Sequence, residues 1–208
     1  MTGSMAVPAL SGNQAAILAA YAELIEEVGS DDVSFRLVAR RAGIAERTVF
    51  RNYPTRVDLL LATATWIEAT VFAREESHSI FDIPLAIRDA MQRYDARPEL
   101  AHVVAETAMR GVSGAAPSLG RAHLERLLDA EVPSLDAAQR RAVIVALSHL
   151  DSAATWVTFR REFGMDQRDI ADAAAWAAEA VLDSIRDRVA PSGACGAWGH
   201  ATSAIPTA

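Results

Sequence analysis

Between Ser34 and Pro54 the chain reads SFRLVARRAGIAERTVFRNYP, a string that few folds accommodate. Ser34 is a natural N-cap, because its hydroxyl can accept a hydrogen bond from a free N–H in the first helical turn. Phe35, Val38, Ala39 and Ala42 then recur at helical spacing and mark one buried face. Gly43 ends that helix where a left-handed residue is wanted. A second short helix covers about Glu46 to Asn52, with Val49 facing inward. Pro54 closes the unit, since the residue before a proline is pushed out of helical geometry. Two short helices joined by Ala42-Gly43-Ile44-Ala45 form a helix-turn-helix. In such a unit the first helix braces while the second lies in the major groove of duplex DNA.

Charge points to the same partner. The chain carries a net charge of −7, yet Arg36 to Arg56 hold six arginines against the single carboxylate Glu46. The island is therefore +5 on a body of −12. A concentrated basic patch suits a polyanion held at one place, whereas a broad coating of nucleic acid or membrane uses distributed cations. Lysine is absent, so every one of the 20 basic residues is arginine; no function is drawn from that.

The rest of the chain is also patterned for helices, and the expected fold class is all-α with about nine helices. A first helix from about Gln14 to Val28 buries Ile17, Leu18, Tyr21, Leu24, Ile25 and Val28. Thr55, with Asp58 three residues on, forms a capping-box pattern. It opens a fourth helix that could continue to about Arg74, long enough to link two domains rigidly. Five more helices are expected at roughly 83–95, 98–112, 118–131, 135–163 and 166–189. Residues 12–58 read as a three-helix domain with the helix-turn-helix, and 59–190 as a larger ligand-binding and dimerisation domain. Residues 191–208 turn to Gly, Pro, Ser, Thr and Ala and read as a flexible tail. Residues 1–11 include GSM and read as a cloning scar or a mis-set start, outside the expected helices.

Residues 14–62 resemble the N-terminal domain of the tetracycline-repressor (TetR) family of bacterial regulators. The matching positions are Ser34, Val38, Ala39, Ala42, Gly43, Ile44, Ala45, Thr48, Val49, Phe50, Asn52, Tyr53, Arg56 and Leu59. Three departures stand out. Ala45 replaces a frequent serine cap, Phe50 lacks the tyrosine hydroxyl that often reaches phosphate, and Arg56 replaces a lysine while keeping its charge. The resemblance implies a homodimer that binds a palindromic operator and releases it when a small-molecule effector binds. Repression is the preferred reading, although activation would use the same operator contacts.

Glu46, Arg47, Thr48, Arg51 and Asn52 are left for DNA on the second helix, and Arg36 starts the brace helix. Arg47 is the candidate for bidentate contact with guanine O6 and N7. Thr48, Tyr53 and Arg56 are candidate phosphate clamps, which position without reading sequence. Arg40 and Arg41 point away from the turn and read as a solvated face. In the larger domain Trp66, Met91, Tyr94, His102, Met109, Trp156 and Phe159 stand among many alanines. As a group they suggest an apolar effector site, with His102, Thr107 and Asp151 as polar candidates. The last expected helix carries Ala173, Ala177, Ala180 and Val181 beside Trp176, and with the helix before it is expected to build the dimer.

Enzymatic readings find little support. Gly111-Val112-Ser113-Gly114 is out of step with a G-x-S-x-G elbow and lacks the strand that turn requires. The five histidines show no H-E-x-x-H run and no i,i+4 pair, so neither a metal nor a cofactor is expected. The alternative is a helical enzyme or lipid-binding protein with a residual helix-turn-helix. No stretch approaches the roughly 18 apolar residues that span a bilayer, no secretory signal is apparent, and the single Cys195 permits no internal disulfide. A cytoplasmic location without a membrane partner is the expectation.

Overall fold

The computed structural model describes residues 10–109, with the side chain of Met109 excepted, and residues 120–187. Among the described residues there are ten α-helices and no strand: α1 (Gly12–Val28), α2 (Phe35–Ala42), α3 (Glu46–Asn52), α4 (Arg56–Thr70), α5 (Ile83–Ala96), α6 (Pro98–Met109), α7 (Arg121–Glu131), α8 (Ala137–Leu150), α9 (Ala153–Glu162) and α10 (Gln167–Arg186). One-turn 3-10 helices at Ser30–Asp32 and Ile80–Asp82 were not anticipated. The fold is all-α, as the periodicity indicates. The motif GVSG and the tail after residue 187 lie outside the described residues.

Local chemistry sets most helix ends. The Ser34 hydroxyl accepts from Leu37 N–H, and Thr55 with Asp58 closes a reciprocal capping box at the head of α4. Gly43 sits at φ 68°, in the left-handed region that side chains with a Cβ disfavour. α1 begins two residues earlier than the periodicity suggests, because Ser11 and Gln14 form a capping box of their own.

Two long helices are shorter than expected. α4 stops at Thr70, where the N–H groups of Val71 and Phe72 both bond the Ile67 carbonyl and the Phe72 ring turns inward. Phe72 packs edge-on against Tyr94 at 4.9 Å, and that burial outweighs another turn of exposed helix. The expected helix over 135–163 is two helices, α8 and α9, bent by 62°. The N–H of Asp151 bonds the Leu147 carbonyl to finish α8, and the Ser152 hydroxyl accepts from Thr155 N–H to start α9.

α1 packs on α2, α4 and α6, while α2 packs on α3. In the larger part α10 lies along α5 and also touches α8, and α6 packs between α4 and α9. The inward face of α10 is Ile170, Ala171, Ala174, Ala175, Ala178, Leu182 and Ile185, all buried. Its alanines let the α5 backbone approach, and each fully buried large aliphatic contributes about 1.5–3 kcal/mol. Ala174→Leu would overfill that seam at a cost of about 1–3 kcal/mol. Between the two parts, the Arg97 guanidinium at the α5–α6 junction grips the Glu26 carboxylate on α1 with two hydrogen bonds.

Candidate nucleic-acid interface

Six arginines that are alike in sequence have three different fates. Arg41 makes a bidentate pair with Glu27, at 2.8 and 2.6 Å, and reaches Glu23 at 3.1 Å, both on α1. The hydrogen bonds with Glu27 raise the Arg41 pKa above its already high value and lower that of Glu27. Arg56, at the head of α4, donates to the carbonyls of Ser30 and Asp31 at 3.1 and 3.0 Å. It thus ties α4 to the turn between α1 and α2, rather than standing free as the expected phosphate clamp. The remaining four, Arg36, Arg40, Arg47 and Arg51, are exposed and meet no carboxylate among the described residues.

On α3 the exposed positions are Glu46, Arg47, Phe50 and Arg51, two adjacent residues on each of two turns, which is one helical face. Val49 on the opposite side is fully buried. Thr48 and Asn52 are half-buried, and the Asn52 amide donates to the Thr48 carbonyl at 2.7 Å. Ala45 supplies no side-chain cap, so the first α3 turn leaves its backbone N–H groups without a hydroxyl partner. Tyr53, expected as a phosphate clamp, is only 6% exposed, and burial raises the pKa of its hydroxyl. Its ring belongs to the core under α3, four residues on from the fully buried Val49, whose carbonyl accepts from the Tyr53 N–H.

The expected effector residues separate into groups. Met91, Tyr94 and Trp156 are fully buried, Trp66, His102 and Phe159 are half-buried, and the side chain of Met109 lies outside the described residues. The His102 and Trp156 rings meet edge-on at 5.3 Å, and burial lowers the His102 pKa below its ordinary 6.5. The Trp156 indole N–H and the Thr63 hydroxyl are buried with no hydrogen-bond partner among the described residues. Of the polar candidates, Thr107 bonds the Val103 and Val104 carbonyls of its own helix, which accounts for it structurally. Asp151 is wholly buried and paired with Arg74, whose guanidinium also donates to the Tyr94 hydroxyl at 2.6 Å. Glu68 lies near that pair, with a buried carboxylate oxygen that has no hydrogen-bond partner. Burial raises its pKa to about 7, opposed by Arg74 and reinforced by Asp151.

Sequence reasoning missed this Glu68–Arg74–Asp151 cluster, and no local spacing could have revealed partners 77 residues apart. It also missed an open groove of about 860 Å³ between α7 and α8, floored by Ile144, Val145 and Ala154 and edged by Arg121, Arg140 and Arg141. Of the expected effector residues whose side chains are described, none lines that groove. Among the described residues no cluster of metal-ligating side chains occurs, and no single helix is long and apolar enough to cross a membrane.

Residues 17–63 match the family model described as bacterial regulatory proteins, tetR family. The chain carries the TetR N-terminal domain. Its α2–α3 unit is therefore the TetR helix-turn-helix, and the four unpaired arginines are distributed over that unit. The whole fold is similar to solved TetR structures. A TetR-Q116A from Acinetobacter baumannii AYE, in complex with minocycline, is 16% identical, with 86% of this chain and 97% of that chain covered and a TM-score of 0.62. A TetR transcriptional regulator from Rhodococcus sp. RHA1 is 20% identical, covering 82% and 95%, at a TM-score of 0.59. The regulator FadR from Bacillus subtilis, in complex with stearoyl-CoA, is 16% identical, covering 82% and 98%, at 0.52. No curated protein matches the chain in sequence. At these identities the likeness is one of fold.

Proposed function

We propose that the protein is a homodimeric transcriptional regulator, released from a palindromic operator by a small apolar effector. Residues 12–58 form its DNA-binding domain and residues 59–190 its effector and dimer domain. The observation that carries this reading is the set of four unpaired arginines on the helix-turn-helix of an otherwise acidic chain. Arg47 and Arg51 face the groove from α3 and Arg36 from α2, with Glu46, Thr48 and Asn52 at the edges. Tyr53 supports the unit from within, and the exposed Arg56 ties the head of α4 to the turn after α1 at its edge.

Dimerisation is supported by the outer face of α10. Trp176 is 70% exposed there, beside Ala173, Ala177 and Ala180, and Val145 on neighbouring α8 is 61% exposed. A large ring flanked by small residues suits close helix packing between two copies. An effector that touches Met91, Tyr94 or Trp156 must displace core, so its binding would repack helices and shift the balance between two states. The buried, unpartnered Trp156 N–H and Thr63 hydroxyl favour an effector with a few polar atoms. Minocycline and stearoyl-CoA occupy structures of similar fold, and both combine apolar surface with polar groups. A regulator of this kind acts in the cytoplasm.

Selection from a pool of random duplexes tests the reading. It should enrich a near-palindrome, with half-sites about 34–36 Å apart and affinity that falls steeply with salt. A pool that never converges would refute it. Apolar compounds that raise the melting temperature should also release the selected duplex, by linkage.

A further inference from the structure

Phe50 breaks the chemical pattern of the face it occupies. Its neighbours on the outer side of α3 are Glu46, Arg47 and Arg51, yet its ring is 48% exposed. Four residues from Glu46 and three from Arg47, it continues their row along the helix. The ring is not loose. Phe35, at the head of α2, meets it edge-on with centroids 4.5 Å apart and planes at 73°, and Phe35 is itself buried. One side of the Phe50 ring is thereby held by the brace helix while the other is offered to whatever α3 faces. A phenyl ring has no donor or acceptor, so it can neither hold a phosphate oxygen nor read a polar base edge. The one apolar group that major-groove base edges present is the C5-methyl of thymine. Arg36, Arg47 and Arg51 around it have no carboxylate partner among the described residues and are complementary to a polyanion.

We propose that Phe50 is a specificity-determining residue that packs its exposed ring edge on a thymine methyl in each operator half-site. The inference rests on the DNA-binding reading and adds a base preference to it. Phe35 acts as the positioning residue: it fixes the ring against rotation away from the groove, so little side-chain freedom is lost on contact.

Deoxyuridine tests this directly, because it pairs like thymidine and lacks only the methyl. The probe is the duplex enriched from the random pool, with each dT replaced by dU one position at a time. One symmetric pair of replacements should weaken binding of the unaltered protein by about fourfold per half-site, or roughly fifteenfold for both, as expected for loss of one buried methyl group each. Phe50→Ala should bind the dT duplex correspondingly weakly and show no further loss with dU at that position. Phe50→Tyr should keep the dU penalty, since its ring occupies the same place. If every dU-substituted duplex binds the unaltered protein within about twofold of the parent, no methyl is read and the proposal fails, whatever the variants do. An undiminished dU penalty in Phe50→Ala would assign the methyl to another residue and also overturn it. Failure to enrich any sequence would instead remove the DNA-binding reading together with this inference. An enriched duplex indifferent to dU removes this inference alone.

Discussion

Removing either partner of the buried Arg74–Asp151 pair should destabilise the protein, but unequally. Arg74 follows α4 with only 11% of its side chain exposed, and Asp151 at the α8–α9 bend is wholly buried. Burial opposes the Arg74 charge, but Asp151, Tyr94 and Glu68 outweigh it and hold the guanidinium protonated. Losing one member of a buried pair costs about 3–5 kcal/mol, because the other charge is left in a poor solvent. Here the cluster has two carboxylates and one cation. Arg74→Met would remove the cation that faces both Glu68 and Asp151, and one donor to the Tyr94 hydroxyl, which keeps its bond to the Asp151 carbonyl. Asp151→Asn would leave Arg74 able to turn to Glu68, whose buried oxygen has no hydrogen-bond partner. Arg74→Met is therefore expected at the upper end of that range and Asp151→Asn at or below the lower end. Urea unfolding at pH 8, with protein concentration held constant because a dimer makes stability concentration-dependent, measures both. The double variant should recover part of the loss, giving a coupling of about 1–3 kcal/mol. Equal losses for the two single variants, or simple additivity in the double, would refute the reasoning that one arginine serves two carboxylates.

Glu68 makes stability depend on pH. Its folded pKa of about 7 lies above the ordinary 4.5, so the folded state binds a proton that the unfolded state has already lost. Stability should fall as pH rises from about 4.5 to about 7 and then level off, by an amount on the order of 3 kcal/mol; Glu68→Gln should flatten that part of the curve in thermal melts. Arg47→Ala should cost about 1–3 kcal/mol on the selected duplex and little on random DNA, whereas Arg41→Ala, whose guanidinium is already held by α1, should leave specific binding near that of the unaltered protein in a fluorescence-anisotropy titration. Gly43→Ala places a Cβ at φ 68° and should cost about 1–2 kcal/mol in urea unfolding. Ala177→Arg puts a charge in the small-residue face of α10, and sedimentation should then show monomers; a dimer that still binds its operator would place the interface elsewhere.

The features legible in the sequence are those whose physics is local. Ser34, Gly43 and the Thr55–Asp58 pair act within three or four residues of themselves, so spacing alone locates the ends of α2 and the head of α4. The inward positions Val38, Ala39 and Val49 follow from helical periodicity, and with them the helix-turn-helix and the all-helical class. The same kind of signal was present but unread at Ser152-Ala153-Ala154-Thr155. There a hydroxyl cap inside an apolar run divides the expected single helix into α8 and α9. Its meaning depends on Asp151 being drawn inward by Arg74, a partner on a distant segment.

What only the tertiary structure decided is the fate of chemically identical side chains. Six arginines carry the same charge and the same donors, and nothing in the string distinguishes Arg41 from Arg40 or shows that Arg56 is held by backbone carbonyls. Folding brings Glu23 and Glu27 of α1 beneath Arg41 and the Ser30 and Asp31 carbonyls beneath Arg56. It leaves Arg36, Arg40, Arg47 and Arg51 exposed, with no carboxylate partner among the described residues. Likewise it sinks Tyr53 into the core and lifts Phe50 out of it, though both are aromatic residues on one short segment. A sequence determines which groups can form a bond or fill a core. Which of several equivalent groups does so depends on the helix that arrives beside it, because hydrogen bonds and packing act over a few ångströms regardless of distance along the chain.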